Sequence, residues 1–242
     1  MMTIDIIYRC WLTDGAVTSF EIQLDPDTLR RVGPMPGQLP SWTELGFKQC
    51  PNCFLTSDTQ SHCPLAVELV EIVPRFDHLL SFDRIEAEVI TAERTIRVEA
   101  SVQRVLSSLM GLLFAVSACP WTTFFKPLAR YHLPLATTEE TMWRVFSTFL
   151  LGRHFQAKAG ERHRADFEDL ADMYANVQIV NSSFAERLRV ACQQDSVINA
   201  LILLDMFAKS VPFAIEDALD EIRPLIVPFF KPASWKAGIQ AD

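Results

Sequence analysis

The sequence has no cluster of basic side chains. Its 22 lysines and arginines are dispersed among 30 acidic residues, for a net charge of −8. Affinity for nucleic acid comes from Lys and Arg gathered against phosphates, so no nucleic-acid partner is expected. The familiar phosphate loops, Gly-x-Gly-x-x-Gly and Gly-x-x-x-x-Gly-Lys, are missing, as are His-Glu-x-x-His and the Gly-x-Ser-x-Gly elbow. Their absence removes support for common nucleotide and hydrolytic chemistry but leaves an unfamiliar enzyme open. The first residues lack a basic stretch followed by an apolar core and a small-residue cleavage site. No secretory signal is therefore expected, and reduced cysteines in a cytoplasm are. One uncharged run, 105–125, is long enough on paper to cross a bilayer. It carries Ser107, Ser108, Gly111 and Pro120 between flanking Arg104 and Lys126, which suits a buried core helix and no membrane partner.

What is present is a globular composition, 49% hydrophobic and 21% charged over 242 residues, enough to bury roughly 70–75% of the unfolded surface. Residues 4–12 and 16–24 are rich in β-formers around Asp14-Gly15, a hairpin signal. Prolines 26, 34, 36 and 40 then mark a connector. Segments 85–90 and 95–100 alternate apolar and charged side chains, the two-residue period of a second hairpin turning near 92–94. Two hairpins predict one four-stranded antiparallel sheet.

From Val102 the pattern is helical. Thr137 and Glu140 have capping-box spacing before Met142, Val145, Phe146 and Phe149, and Gly160 stops that helix. A second helix is expected from about 166 to 192, another after Asp195 or Ser196, and a last short one over 215–222 before Pro224 and a frayed end. Strands early and helices late indicate an α+β fold: an N-terminal antiparallel sheet, a cysteine loop and a C-terminal helical bundle. The division falls between a β-rich part, 1–101, and a helical part, 102–242, packed as one unit.

Three of the six cysteines lie within fourteen positions, in Cys50-Pro-Asn-Cys53 and His62-Cys63-Pro64. Two intervening residues let a tight turn aim both sulfurs of the close pair at one ion, and Cys63 can return as a third ligand. Pro64 after Cys63 predicts a helix start whose positive end would favour a thiolate. Cys119-Pro120 repeats that arrangement and offers a fourth sulfur. Structural zinc on Cys50, Cys53, Cys63 and Cys119 is the leading expectation, with an iron–sulfur cluster on the same cysteines as the alternative. A redox dithiol and unligated core thiols are the other readings.

His132, near Arg130, could be a ligand, a base or a hydrogen-bonded structural histidine. His62 is expected either just outside the metal shell or as an alternate ligand, His154 and His163 at the surface, and Cys10 and Cys192 as isolated thiols. Glu139 and Glu140 are explained by capping, and Glu168, Asp169 and Asp172 by a solvated face.

The stretches Phe47-Lys-Gln-Cys-Pro-Asn-Cys53, His62-Cys-Pro-Leu-Ala66, Cys119-Pro120 and Ala129-Arg-Tyr-His-Leu-Pro134 together resemble an uncharacterised bacterial family, a domain of unknown function. The resemblance implies a bacterial cytoplasmic setting and does not supply an activity. The expected role is that of a cytoplasmic metal-binding protein with a helical surface for a protein partner. An enzyme using His132, Arg130 and a nearby thiol is a third possibility, and whether the chain is an enzyme stays open.

Overall fold

The computed structural model describes residues 2–33, 37–161 and 167–227. Five strands form one antiparallel sheet in the order β3-β2-β1-β4-β5: β1 Ile4–Trp11, β2 Val17–Leu24, β3 Arg31–Val32, β4 Arg84–Ile90 and β5 Thr95–Ser101. The two expected hairpins are its two halves, and they join through the antiparallel pairing of β1 with β4. The fifth strand, β3, is too short to leave an alternating pattern in the sequence. Alternation decides the faces. Ile6, Tyr8, Cys10, Phe20, Ile22, Ile85, Ala87 and Val89 point inward and are buried, while the outer face carries the pairs Arg9–Glu88, Arg84–Glu99 and Arg97–Glu86.

The inner face is covered by two short helices, α1 Pro64–Glu68 and α2 Val73–Phe76, and by α3 Val102–Val116. Cys63 caps α1 with Pro64 at its first position, as the sequence predicts. A 3-10 turn, Pro120–Phe125, leads into α4 Lys126–Arg130. Beyond it lie α5 Thr138–Lys158, α6 Glu168–Ala191 and α7 Ser196–Ile226. The capping box at Thr137 and Glu140 is formed, and Gly160 follows α5 with a φ of +89° that favours glycine. One apolar core joins the sheet, α3 and parts of α6 and α7; a second joins α5 to α6 and the later turns of α7.

Run 105–125 divides between the buried helix α3 and the 3-10 turn that follows Cys119. Among the described residues no single helix is long and apolar enough to cross a membrane, and α3 reaches that length only together with 120–130, across a bend of 108°.

The expected break before a short last helix is absent: α7 continues through Pro212 and Pro224. Proline at 212 cannot donate to the carbonyl of residue 208, which would leave that oxygen orphaned. Gln178 on α6 supplies the missing donor, its Nε2 lying 3.1 Å from the Ala208 oxygen. The expected frayed end falls mostly outside the described residues.

Gly111 sits in the middle of α3, where a side chain would meet Leu204 Cδ2 of α7 at 3.5 Å, an ordinary contact distance. Gly111→Ala is therefore expected to raise the unfolding free energy by about 0.5–1 kcal/mol by removing glycine's entropy cost in a helix. A urea titration checks it, and a loss of stability would show that α3 and α7 need the bare backbone.

Candidate functional site

The cysteine loop is held by hydrogen bonds. Cys53 N–H donates to the Cys50 carbonyl (3.0 Å) in the tight turn expected for this pair. Trp121 Nε1 donates to the Asn52 carbonyl (2.8 Å), and Asn52 Nδ2 donates to Asn176 on α6 (3.1 Å to Oδ1). These contacts tie the loop to the helices in the place where a shared ion was expected.

Charge on Cys50, Cys53 or Cys63 would be felt at Cys119, and charge on Cys53 or Cys63 at Cys50. Yet among the described residues no group of three or more His, Cys, Asp or Glu side chains could hold a metal ion. Both the zinc and the iron–sulfur expectations are overturned by that geometry. Burial, reinforced by the neighbouring sulfurs, pushes Cys50 up to about 11 and Cys119 up to about 12, and Cys63 is raised chiefly by burial. Metal ligation requires thiolates, whereas neutral thiols pack as small apolar groups. All six cysteines are free thiols.

His62 is not part of a metal shell either. The Thr43 hydroxyl donates to the Pro40 carbonyl (2.6 Å), so His62 Nδ1, 2.9 Å from the Thr43 hydroxyl oxygen, is the donor to that hydroxyl. His154 is exposed, and His163 lies outside the described residues.

The loop rests on Arg187 of α6, which is 2% exposed. Its Nη1 donates to the carbonyls of Trp42 (2.5 Å) and Glu44 (2.7 Å), and its Nη2 to that of Leu45 (3.3 Å). The guanidinium also stands over the Phe47 ring, 5.6 Å from its centroid. A rigid fork of donors suits several carbonyls at once, which is why arginine fits this buried position.

A different site lies among the helices. Tyr8 reaches from β1 to place its hydroxyl 2.9 Å from Ser108 Oγ on α3 and 2.5 Å from His132 Nε2. Leu135 N–H donates to the same Ser108 oxygen (3.0 Å). Removal from water, aided by the positive charge of Arg144, lowers His132 to about 3. The imidazole is thus neutral. With Nε2 accepting from Tyr8, the phenol oxygen is free to accept from Ser108. Burial raises Tyr8 above its ordinary value. The shifts move the base down and the phenol up, away from the values that serve proton transfer near neutrality.

Arg144 of α5 donates to the carbonyls of Leu128 (2.7 Å) and Tyr131 (2.9 Å) and so closes the end of α4. Arg130 instead lies over the exposed Tyr131 ring.

Ser108, His132 and Arg144 border a cavity of about 600 Å³ between α3, α4, α5, α6 and α7. Its wall is mostly apolar, with Leu112, Phe125, Leu128, Val177, Leu204 and Phe207 contributing. One polar side chain in that wall stands apart. Asn181 of α6 is 4% exposed and lines the cavity; its amide makes no hydrogen bond to the described residues and is not among their sealed unpaired atoms, so it is open to the cavity space. Thr122, also in the wall, is by contrast committed to the Cys119 carbonyl.

A family model for a domain of unknown function, DUF6901, matches residues 6–226. The chain belongs to that family. Neither the curated proteins nor the solved structures compared with this DUF6901 chain include a match.

In this DUF6901 chain the signal for Asn181 was present in the sequence. Tyr174, Val177, Asn181, Phe184 and Leu188 follow the three-and-four spacing of one buried helix face, and all are buried. An amide at a core position of that stripe is the anomaly. The cavity itself left no such trace, because its wall is assembled from five helices.

Proposed function

We propose that this DUF6901 protein binds a small, mostly apolar molecule in the helical cavity, with a hydrogen-bonding group of that molecule meeting Asn181. The carrying observation is the amide of Asn181, which faces the cavity from an otherwise apolar stretch of wall and makes no hydrogen bond to the described residues. A ligand carbonyl or hydroxyl meeting it gains a hydrogen bond worth about 0.5–1.5 kcal/mol. The cavity volume falls in the range of small-molecule sites, which are mostly apolar with a few placed polar groups. The neutral Ser108–Tyr8–His132 network favours binding over acid–base chemistry.

Asn181→Leu tests this reading. It is expected to leave the ligand-free protein as stable as the parent to within about 1 kcal/mol in urea titrations, since an amide open to the cavity is replaced by an apolar group of similar size. It should also weaken, by about tenfold, binding of a naphthyl dye that carries a hydroxyl. A destabilised variant that binds this dye unchanged would show that Asn181 is structural and the reading wrong.

A cytoplasmic setting and a protein partner belong to the same proposal. Six free thiols support a reducing compartment. Exposed Trp143, Leu150, Leu151 and Phe155 on α5 support a partner surface.

A further inference from the structure

Resting on the cavity reading, the arrangement of its polar groups narrows the ligand. The protein carries a net charge of −8, yet no described residue lining the cavity is Asp or Glu, whereas Arg104 and Arg144 both line it. Arg104 is exposed and has no ion-pair or hydrogen-bond partner among the described residues. Arg144 spends one nitrogen, Nη2, on backbone carbonyls. The Glu140 carboxylate, whose charge Arg144 feels, is engaged by the Thr137 N–H at 2.8 Å.

The cations and the amide occupy opposite ends. Arg104 lies near the start of α3, one turn before Ser108, and exposed Thr137 and Thr138 mark the same end as the mouth. Phe184 of α6 packs edge-on against Phe114, near the end of α3, with ring centroids 5.3 Å apart. Asn181 lies one turn from Phe184 on α6, so it sits at the level of the last turns of α3. At 1.5 Å per residue, the step from the level of Arg104 to that of Phe114 is about 15 Å.

We infer that the ligand is an elongated amphipathic carboxylate, its anionic end at the mouth beside Arg104 and Arg144 and a hydrogen-bonding group at its far end against Asn181. An apolar chain of roughly ten to twelve carbons spans that length.

The test is displacement of a neutral naphthylamine dye from the full chain by three probes of one length: dodecanoate, dodecanol and 12-hydroxydodecanoate. Dodecanoate is expected to bind at least tenfold more tightly than dodecanol. That advantage should shrink several-fold both in Arg104→Gln, a surface change, and in raised salt. The terminal hydroxyl should add a further several-fold, a gain lost in Asn181→Leu. Equal or tighter binding of dodecanol would overturn the anionic assignment and leave the cavity reading standing. A carboxylate advantage unchanged in Arg104→Gln and in high salt would likewise overturn the placement of the anion. No dye uptake and no probe binding would overturn both.

Discussion

Replacing Arg187 with methionine is expected to lower the unfolding free energy by about 3–5 kcal/mol, which for a chain of this size is a fall in Tm of roughly 10 °C. The loss comes from what the guanidinium leaves behind. The carbonyls of Trp42, Glu44 and Leu45 all accept from it inside the protein, and methionine can donate to none of them. Buried acceptors without donors carry their desolvation cost in full, while the apolar stem of methionine restores only the packing. Arg187→Lys retains the charge but not the fork, so it should recover only part of the loss. Urea unfolding of the three proteins decides it. A methionine variant as stable as the parent would mean that water reaches these carbonyls.

Acid should destabilise the protein through His132. Its folded value of about 3 lies below the ordinary value of 6.5, so unfolding takes up a proton at this residue between those limits. Where the unfolded state binds more protons, stability rises with pH. The contribution is therefore complete above about pH 6.5 and declines as the pH falls toward 3, at a slope approaching 1.4 kcal/mol per pH unit for this one group. His132→Gln keeps an acceptor for the Tyr8 hydroxyl and does not titrate. At pH 7.5 the variant should be less stable than the parent by about 1 kcal/mol, and near pH 4 the order should reverse. Carboxylates common to both proteins cancel in the difference. Parallel acid curves would show that the imidazole is protonated in the folded chain.

Local rules carried the fold a long way. Asp14-Gly15, the alternation in 85–90 and 95–100, Pro64 and the Thr137 capping box each correspond to an observed element, because each depends on neighbours in sequence. The failures depended on partners far away. Pro212 reads as a helix breaker until Gln178, from another helix, satisfies the carbonyl it orphans. The cysteines read in sequence as a ligand group, and the structure does not gather them into one. Ligand spacing in sequence does not fix how sulfurs are aimed in space, and here they form no coordination geometry. The cavity could not be read at all, since its polar groups come from segments far apart in the chain. Asn181 was visible as a polar residue on an apolar stripe, but only the empty space in front of it gives that anomaly a chemical meaning.

The Gln178–Ala208 bond also fixes a distance along the bundle. A helix that slides past its neighbour by one turn moves about 5.4 Å, and such a slide of α7 along α6 would carry the Ala208 oxygen out of reach of its donor. Proline at 212 leaves that oxygen no substitute within its own helix. Leu204, Phe207 and Ala208 form part of the cavity wall on the same stretch of α7, so the bond that answers the proline also opposes a slip that would change the depth of the pocket.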